Sequence, residues 1–217
     1  MAEDHAGQSI PYPPHFFKRQ DEGDDEQFYD QPRLVVHIDD HAIAAIGAYF
    51  QRALPQGGVL LDLMSSWRSH LPEGFPKAKL VGLGLNAVEL AENPQLDERV
   101  VHNVNTNPAL SLDDASFDAA MVTVSIQYMT KPVELFSEVG RVLKPGAAFH
   151  VIYSNRMFPT KAILAWQAAD DDQRAQLIGS YFQNSGGWET PELEDVSPAL
   201  GFPTDPVYVV TARRVQE

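Results

Sequence analysis

The sequence predicts an α/β fold: a Rossmann-like, doubly wound, mostly parallel sheet of six or seven strands with an antiparallel C-terminal strand. Two observations predict it. From about residue 39 onward, short apolar runs of strand length alternate with segments of helical spacing. That alternation is the pattern of a parallel sheet with crossover helices. A chain of 217 residues with 44% hydrophobic content also suffices for one such domain and is short for two.

The elements follow in order. Residues 1 to about 30 combine Pro11, Pro13 and Pro14 with Tyr12, Phe16, Phe17, Phe28 and Tyr29, an irregular composition that can still pack. Residues 1–38 are therefore expected to form an arm or lid, and residues 39–217 the α/β domain. Asp39 or Asp40 caps a helix over His41–Leu54, where Ile43, Ile46, Tyr49 and Phe50 share a face and Pro55, Gly57 and Gly58 end the pattern. Gly58–Met64 reads as the first strand, with Ser65 and Ser66 as caps for a brief helical turn over Trp67–Leu71 that Pro72 stops. Lys79–Gly84 is the second strand, Asn86 caps Ala87–Glu92, and Arg99–His102 is the third strand.

Asp118–Val124 reads as a buried strand, Pro132–Leu143 as a helix ended by Lys144-Pro145-Gly146, and Ala147–Tyr153 as the next strand. Beyond it, Pro159–Ala168, Asp171–Gln183 and Pro191–Leu200 are expected to be helical, the last with Thr190 as cap and Pro191 in the first turn. Val207–Arg213 closes the sheet, and Phe202–Pro206 is at best a short strand.

In open α/β sheets, ligands bind outside the carboxyl ends of the strands where strand order reverses. The ends to compare are Asp62–Ser66, Gly84–Asn86, Asn103–Asn105 and Ser125–Tyr128. Four motifs run through this region: Leu-Leu-Asp62-Leu, Val81-Gly82-Leu83-Gly84, the stretch from Leu110 to Phe117-Asp118, and Arg141-Val-Leu-Lys-Pro-Gly146. Through them the chain resembles the class I S-adenosylmethionine-dependent methyltransferases of type 11, over roughly residues 58 to 153.

The resemblance implies S-adenosylmethionine as cofactor and assigns places for it. Asp62 matches the family's carboxylate at the end of the first strand, near the methionyl part. The family's glycine-rich loop is here Met64-Ser65-Ser66-Trp67-Arg68, so that Met64, Ser65 and Ser66 would contact the cofactor with side chains where the family uses bare backbone. The acidic residue that holds the ribose aligns with Gly84, leaving Asn86 as the nearest polar group. Asn103 or Asn105 stands where the family places an acid near the adenine, with Val104 to pack on the ring and Ser125 at the fourth strand's end.

Candidate catalytic residues are His37 and Asp39 before the opening helix and Tyr128 after the fourth strand, with Gln127, Asn155 and Arg156 nearby. Methyl transfer needs a base only when the nucleophile must lose a proton. His37 and His41 have the spacing of helical metal ligands, but a helix start falls between them and no metal is expected. Arg156 and Lys161 are expected at a solvated surface more readily than in an anion site.

Charge and composition limit the partners. The net charge of −14 repels phosphate polymers and anionic membranes, so a small-molecule methyl acceptor is expected, with no nucleic-acid and no membrane partner. No cysteine is present, which removes disulfides, thiolate metal sites and cysteine nucleophiles. Met1–Tyr12 lacks the apolar core of a signal peptide and no run reaches the roughly 18 apolar residues of a membrane span, so cytoplasmic residence and a monomer or homodimer are expected. Two other readings stay open. Gly82-Leu-Gly84-Leu-Asn-Ala87 fits the dinucleotide fingerprint of an NAD(P)-dependent oxidoreductase, although Asn103 and Asn105 stand where its acid belongs. The glycine-poor loop also suits a catalytically inactive binding or scaffold protein on a methyltransferase fold.

Overall fold

A computed structural model describes residues 12–216 of the chain. A seven-stranded sheet has the order β3-β2-β1-β4-β5-β7-β6. Its strands are β1 (Val59–Leu63), β2 (Lys79–Gly84), β3 (Glu98–Val101), β4 (Phe117–Thr123), β5 (Leu143–Tyr153), β6 (Glu192–Asp195) and β7 (Tyr208–Arg213). Strands β1 to β5 run parallel, and β7 pairs antiparallel with both β5 and β6. Strand order reverses between β1 and β4, which opens a crevice at their carboxyl ends.

Both sheet faces are covered, and for that reason the strands read as continuous apolar runs. Leu61 and Leu63 face one side with Val122, Phe149 and Val151, beneath helices α4 (Pro132–Val142) and α6 (Asp171–Ser185). Leu60 faces the other with Met121 and Ile152, beneath α2 (Asp40–Ala53), whose Ile46, Tyr49 and Phe50 point inward. Asp39 caps α2 by accepting the Ala42 backbone N–H, as its position before the apolar pattern predicts. Short helices α1 (Asp25–Phe28), α3 (Ala87–Ala91) and α5 (Leu164–Ala168), with a 3₁₀ turn over Ile126–Tyr128, complete the fold. No helix among the described residues is long and apolar enough to cross a membrane.

Several elements differ from expectation, each for a physical reason. No helical turn forms over Trp67–Leu71, and β1 reaches β2 through a helix-free loop. Ser65, expected as a cap, instead donates its hydroxyl to Asp62, and Ser69 does the same, while Asn93 donates to the Ser66 carbonyl. Buried Leu71 and Phe75 then cover the sheet face that a helix would have covered.

Pro191–Leu200 is not a helix: Glu192–Asp195 forms edge strand β6. Its lone apolar side chain, Leu193, is exposed, so a helix there would have no face to bury, whereas the free edge of β7 satisfies its backbone. The acidic residues of β6 then protect the sheet edge from further pairing. Phe202–Pro206 forms no strand, and only Leu164–Ala168 of the helix expected over 159–168 is helical. Strand β5 starts at Leu143, so that Lys144-Pro145-Gly146 lies within it, at the register shift opposite Phe117–Ala119.

The arm expected over residues 1–38 lies outside the described residues up to residue 11. The rest runs across α5 and α6 and then over the crevice. Backbone N–H groups of Leu164 and Ala165 donate to Lys18 and Phe16, and Tyr12 bonds the Ser180 hydroxyl at 2.8 Å.

Candidate functional site

The carboxyl ends of β1 to β4 open into one cavity, roofed by the arm. The cavity encloses about 230 Å³ and opens to solvent at its mouth. Met64, Ser65 and Ser66 line it from β1, Gly84 and Asn86 from β2, Asn103, Val104 and Asn105 from β3, and Ser125 and Tyr128 from β4. His37 enters from the arm. The backbone turns sharply where it leaves the two central strands: Met64 and Val124 have φ of 55° and 51°, a conformation that non-glycine residues, above all β-branched ones, adopt only when their surroundings impose it.

Asp39 and Asp62 stand outside this lining. Asp39 is tied to its helix cap and to Asp205, with which it exchanges backbone-to-carboxylate bonds of 2.9 and 2.7 Å. Asp62 lies directly beneath the loop after β1, buried, and accepts the Ser65 and Ser69 hydroxyls, each at 2.6 Å. Burial pushes its carboxyl up to about 6, against the two hydroxyl bonds that favour the charged form. Its action on a ligand would pass through the shape of the loop.

The loop is braced from both sides. The Ser65 N–H donates to Leu83 O at 2.8 Å, Asn93 holds the Ser66 carbonyl and the Ser69 hydroxyl, and Trp67 Nε1 donates to Val35 O in the arm. As a result the Ser65 carbonyl presses on Gly84, and a Cβ at position 84 would fall far inside contact with it. The missing glycines of the loop and the missing acid at the end of β2 are therefore one structural change: the loop passes where that side chain would be. Gly84→Asp is expected to displace the loop and lower stability by about 3 kcal/mol, at the upper end of overpacking, read by urea denaturation. Gly82 likewise backs onto Leu96. Packing accounts for both glycines of the dinucleotide-like pattern, without a phosphate to approach.

The two asparagines after β3 are spent on structure. Asn103 Oδ1 accepts the Asn105 and Thr106 N–H groups, and Asn105 spans the Asp25 carboxylate, Tyr128 O and the Thr130 N–H. Asn86 is similarly occupied: its Oδ1 caps α3 and its Nδ2 donates to Tyr29 O and Asp30 O. Ser125 Oγ donates to Thr123 O.

Beside them lies an aromatic wall. Phe158 stacks on Tyr128 and takes the His37 ring edge-on at 4.9 Å, and its N–H donates to the Tyr128 hydroxyl. Arg33 lies over Phe28, Tyr29 and Phe158. Burial first, then the Arg33 charge, hold His37 below the usual imidazole value, with Glu89 pulling the other way. His41 packs instead on Phe202, away from His37, and the described residues contain no cluster of three metal-ligating side chains. Gln127 is buried on Val124 O and Arg156 O, outside the cavity lining, as is exposed Asn155.

One further placement departs from expectation. Lys161 is 1% exposed, bonding Gly23 O and facing Asp21 and Asp25, so it holds the arm and is no solvated cation. Arg156 is exposed, as expected, at the edge of the cavity, and pairs with Asp205 at 2.7 Å. Glu89, Tyr29, Arg33 and Phe158 line the cavity without having been singled out. Glu89 carried a readable signal: it stands three residues after the Asn86 cap, in the first turn of a helix that begins beside the crevice.

Residues 69–151 match the methyltransferase domain family of type 11. The curated protein "methyltransferase phqN" of Penicillium fellutanum is 29% identical over 119 residues, 52% of this chain. The chain spans about a third (34%) of that relative's length. Among solved structures, an S-adenosylmethionine-dependent methyltransferase from Mesorhizobium loti superposes with a TM-score of 0.54 at 17% identity, covering 78% of this chain and 98% of that one. The [4+2]-cyclase SpnF superposes with a TM-score of 0.61, also at 17% identity, over 97% of this chain and 100% of its own. At these identities the structures bear on the fold alone. Residues 69–151 thus resemble the type 11 methyltransferase domain, and the chain shares the α/β fold of S-adenosylmethionine-dependent methyltransferases of known structure.

Proposed function

We propose that this protein is an S-adenosylmethionine-dependent methyltransferase that acts on a small acceptor with an apolar, planar body. The observation that carries the reading is the convergence of four strand ends on one cavity at the point where strand order reverses, within a chain that matches the methyltransferase domain. The residues present fit the cofactor: Ser65 and Ser66 offer the loop, Val104 an apolar wall for a base, and Glu89 a carboxylate. When bound, the cofactor supplies a methyl group on a positively charged sulfur, open to in-line displacement.

The chain's part is orientation and exclusion of water. Tyr29, Tyr128, Met157 and Phe158 gather on one side of the cavity, and a flat apolar acceptor fits against them. His37 is on that side, and its lowered proton affinity keeps it neutral near pH 7, ready to take a proton from an acceptor hydroxyl or amine as the new bond to carbon forms. The strongly negative chain disfavours nucleic acid as acceptor.

Calorimetric titration with S-adenosylmethionine and S-adenosylhomocysteine tests the assignment: saturable binding supports it, and absence of binding to both sinks it. In an acceptor screen read as S-adenosylhomocysteine release, His37→Ala is expected to lower kcat about 10²- to 10⁴-fold. Cofactor affinity should stay within a few-fold of the parent. An unchanged kcat would remove His37 from the chemistry.

A further inference from the structure

We infer that Glu89 is the carboxylate that receives the ribose hydroxyls, delivered from the first turn of α3 rather than from the end of β2; this rests on the methyltransferase reading above. The place at the end of β2 is closed, because the Ser65 carbonyl occupies the space that a side chain at position 84 would need. Asn86, the neighbouring polar group, has its oxygen bonded to two backbone N–H groups of α3 and its amide to two carbonyls of the arm. Asp62 is sealed under the loop, and Asp25 is paired with Arg19 and Lys161.

Glu89 remains. It lines the cavity, is 8% exposed, and forms no ion pair with the other described residues. Its position three residues after Asn86 would let it turn back onto the Asn86 N–H as a capping box, but its carboxylate points the other way. One oxygen accepts the Ser66 hydroxyl at 2.5 Å and the other accepts the Arg33 N–H at 2.7 Å. A carboxylate oxygen has room for two donors, so each keeps one acceptor site free, a pair suited to two adjacent hydroxyls. The same two bonds fix the rotamer from the β1 loop on one side and from the arm on the other, so the group is oriented before a ligand arrives.

The test is calorimetry of the parent and of Glu89→Gln with two ligands, S-adenosylhomocysteine and its 2′,3′-dideoxy analogue, with thermal melting of each protein as a folding control. Glu89→Gln is expected to weaken S-adenosylhomocysteine about 10- to 100-fold, the range of hydrogen bonds to a charged group, and to leave affinity for the dideoxy analogue unchanged. Glu89→Asp, which keeps the charge but withdraws it, should show the same selective loss and serves if the glutamine variant does not fold. Equal S-adenosylhomocysteine affinity in parent and variants overturns the assignment, as does an equal loss for both ligands, which would mean that Glu89 only braces the loop. Failure of the parent to bind S-adenosylhomocysteine overturns the methyltransferase reading itself, and this inference with it.

Discussion

Replacing Asp25 by alanine is expected to free the N-terminal arm from the cavity and raise its cleavage by trypsin at Lys18, Arg19 or Arg33 by at least about 100-fold. Asp25 is the single anion at the centre of a buried group. Its side chain is 4% exposed, those of Arg19 and Lys161 are 7% and 1% exposed, and it takes two bonds from Arg19, at 2.7 and 3.0 Å, and one from Asn105. Removing one partner of a buried pair costs about 3–5 kcal/mol, because the remaining charge stays desolvated without compensation. Here Arg19 would be left with no carboxylate of its own, while Lys161 would keep Asp21 and Gly23 O. The arm can escape that penalty by undocking, because residues 12–38 contribute no strand to the sheet. Local opening then replaces global unfolding, and the protease reads the opened fraction. Lys161→Met leaves the Arg19–Asp25 pair intact and should have a smaller effect. If Asp25→Ala instead lowers global stability in urea with no gain in arm cleavage, the arm is part of the cooperative core and no lid.

Much of the fold was legible because strand runs buried on both faces and an amphipathic α2 leave plain patterns. Ile46, Tyr49 and Phe50 point where their spacing says, and Asp39 caps where a carboxylate before an apolar pattern should. The pattern fails where tertiary bonds outcompete local ones. Ser65 and Ser66 are good caps in isolation, but a buried Asp62 and a helical Glu89 claim their hydroxyls, and no turn of helix survives between β1 and β2. Leu193 is one apolar residue among acids, and neither period is readable from it; only the free edge of β7 decides for a strand.

The candidate site was legible as a set of strand ends, since topology puts them together whatever the side chains do. Which of those side chains are free for a ligand was not legible. Asn86, Asn103 and Asn105 look available in sequence and are committed to backbone groups in space. Glu89 looks like an ordinary first-turn acid and faces the cavity. Lys161 reads as a surface cation, and only the packing of the arm over it, with an anion in place, makes its burial tolerable.

Asp62 gives the second large effect, in the dependence of stability on pH. Its carboxyl is raised from 3.8 to about 6 by burial that its two hydroxyl bonds only partly offset. Between those values the folded protein holds a proton that the unfolded chain has released. The group's contribution to stability is therefore fully present below about pH 4 and is lost as pH rises through about 6. At about 1.4 kcal/mol per pH unit, the gap amounts to roughly 3 kcal/mol against the folded state at neutral pH.

Asp62→Asn cannot titrate. The stability of the variant relative to the parent, from urea denaturation, should therefore rise by roughly 3 kcal/mol between pH 4 and pH 7.5. Every other carboxylate is common to both proteins and cancels in that difference. A flat difference would mean that water reaches Asp62 and that the loop over it is not sealed. A carboxylate this unfavourable to the neutral folded state has a local counterpart: it gathers the Ser65 and Ser69 hydroxyls on one oxygen and sets the path of the loop across Gly84. Asparagine offers one acceptor oxygen and places an N–H₂ donor where the second carboxylate oxygen sits. The variant is thus expected to weaken S-adenosylhomocysteine binding at the pH where its relative stability is highest, the combination that separates a residue kept for the shape of the cavity from one kept for the fold.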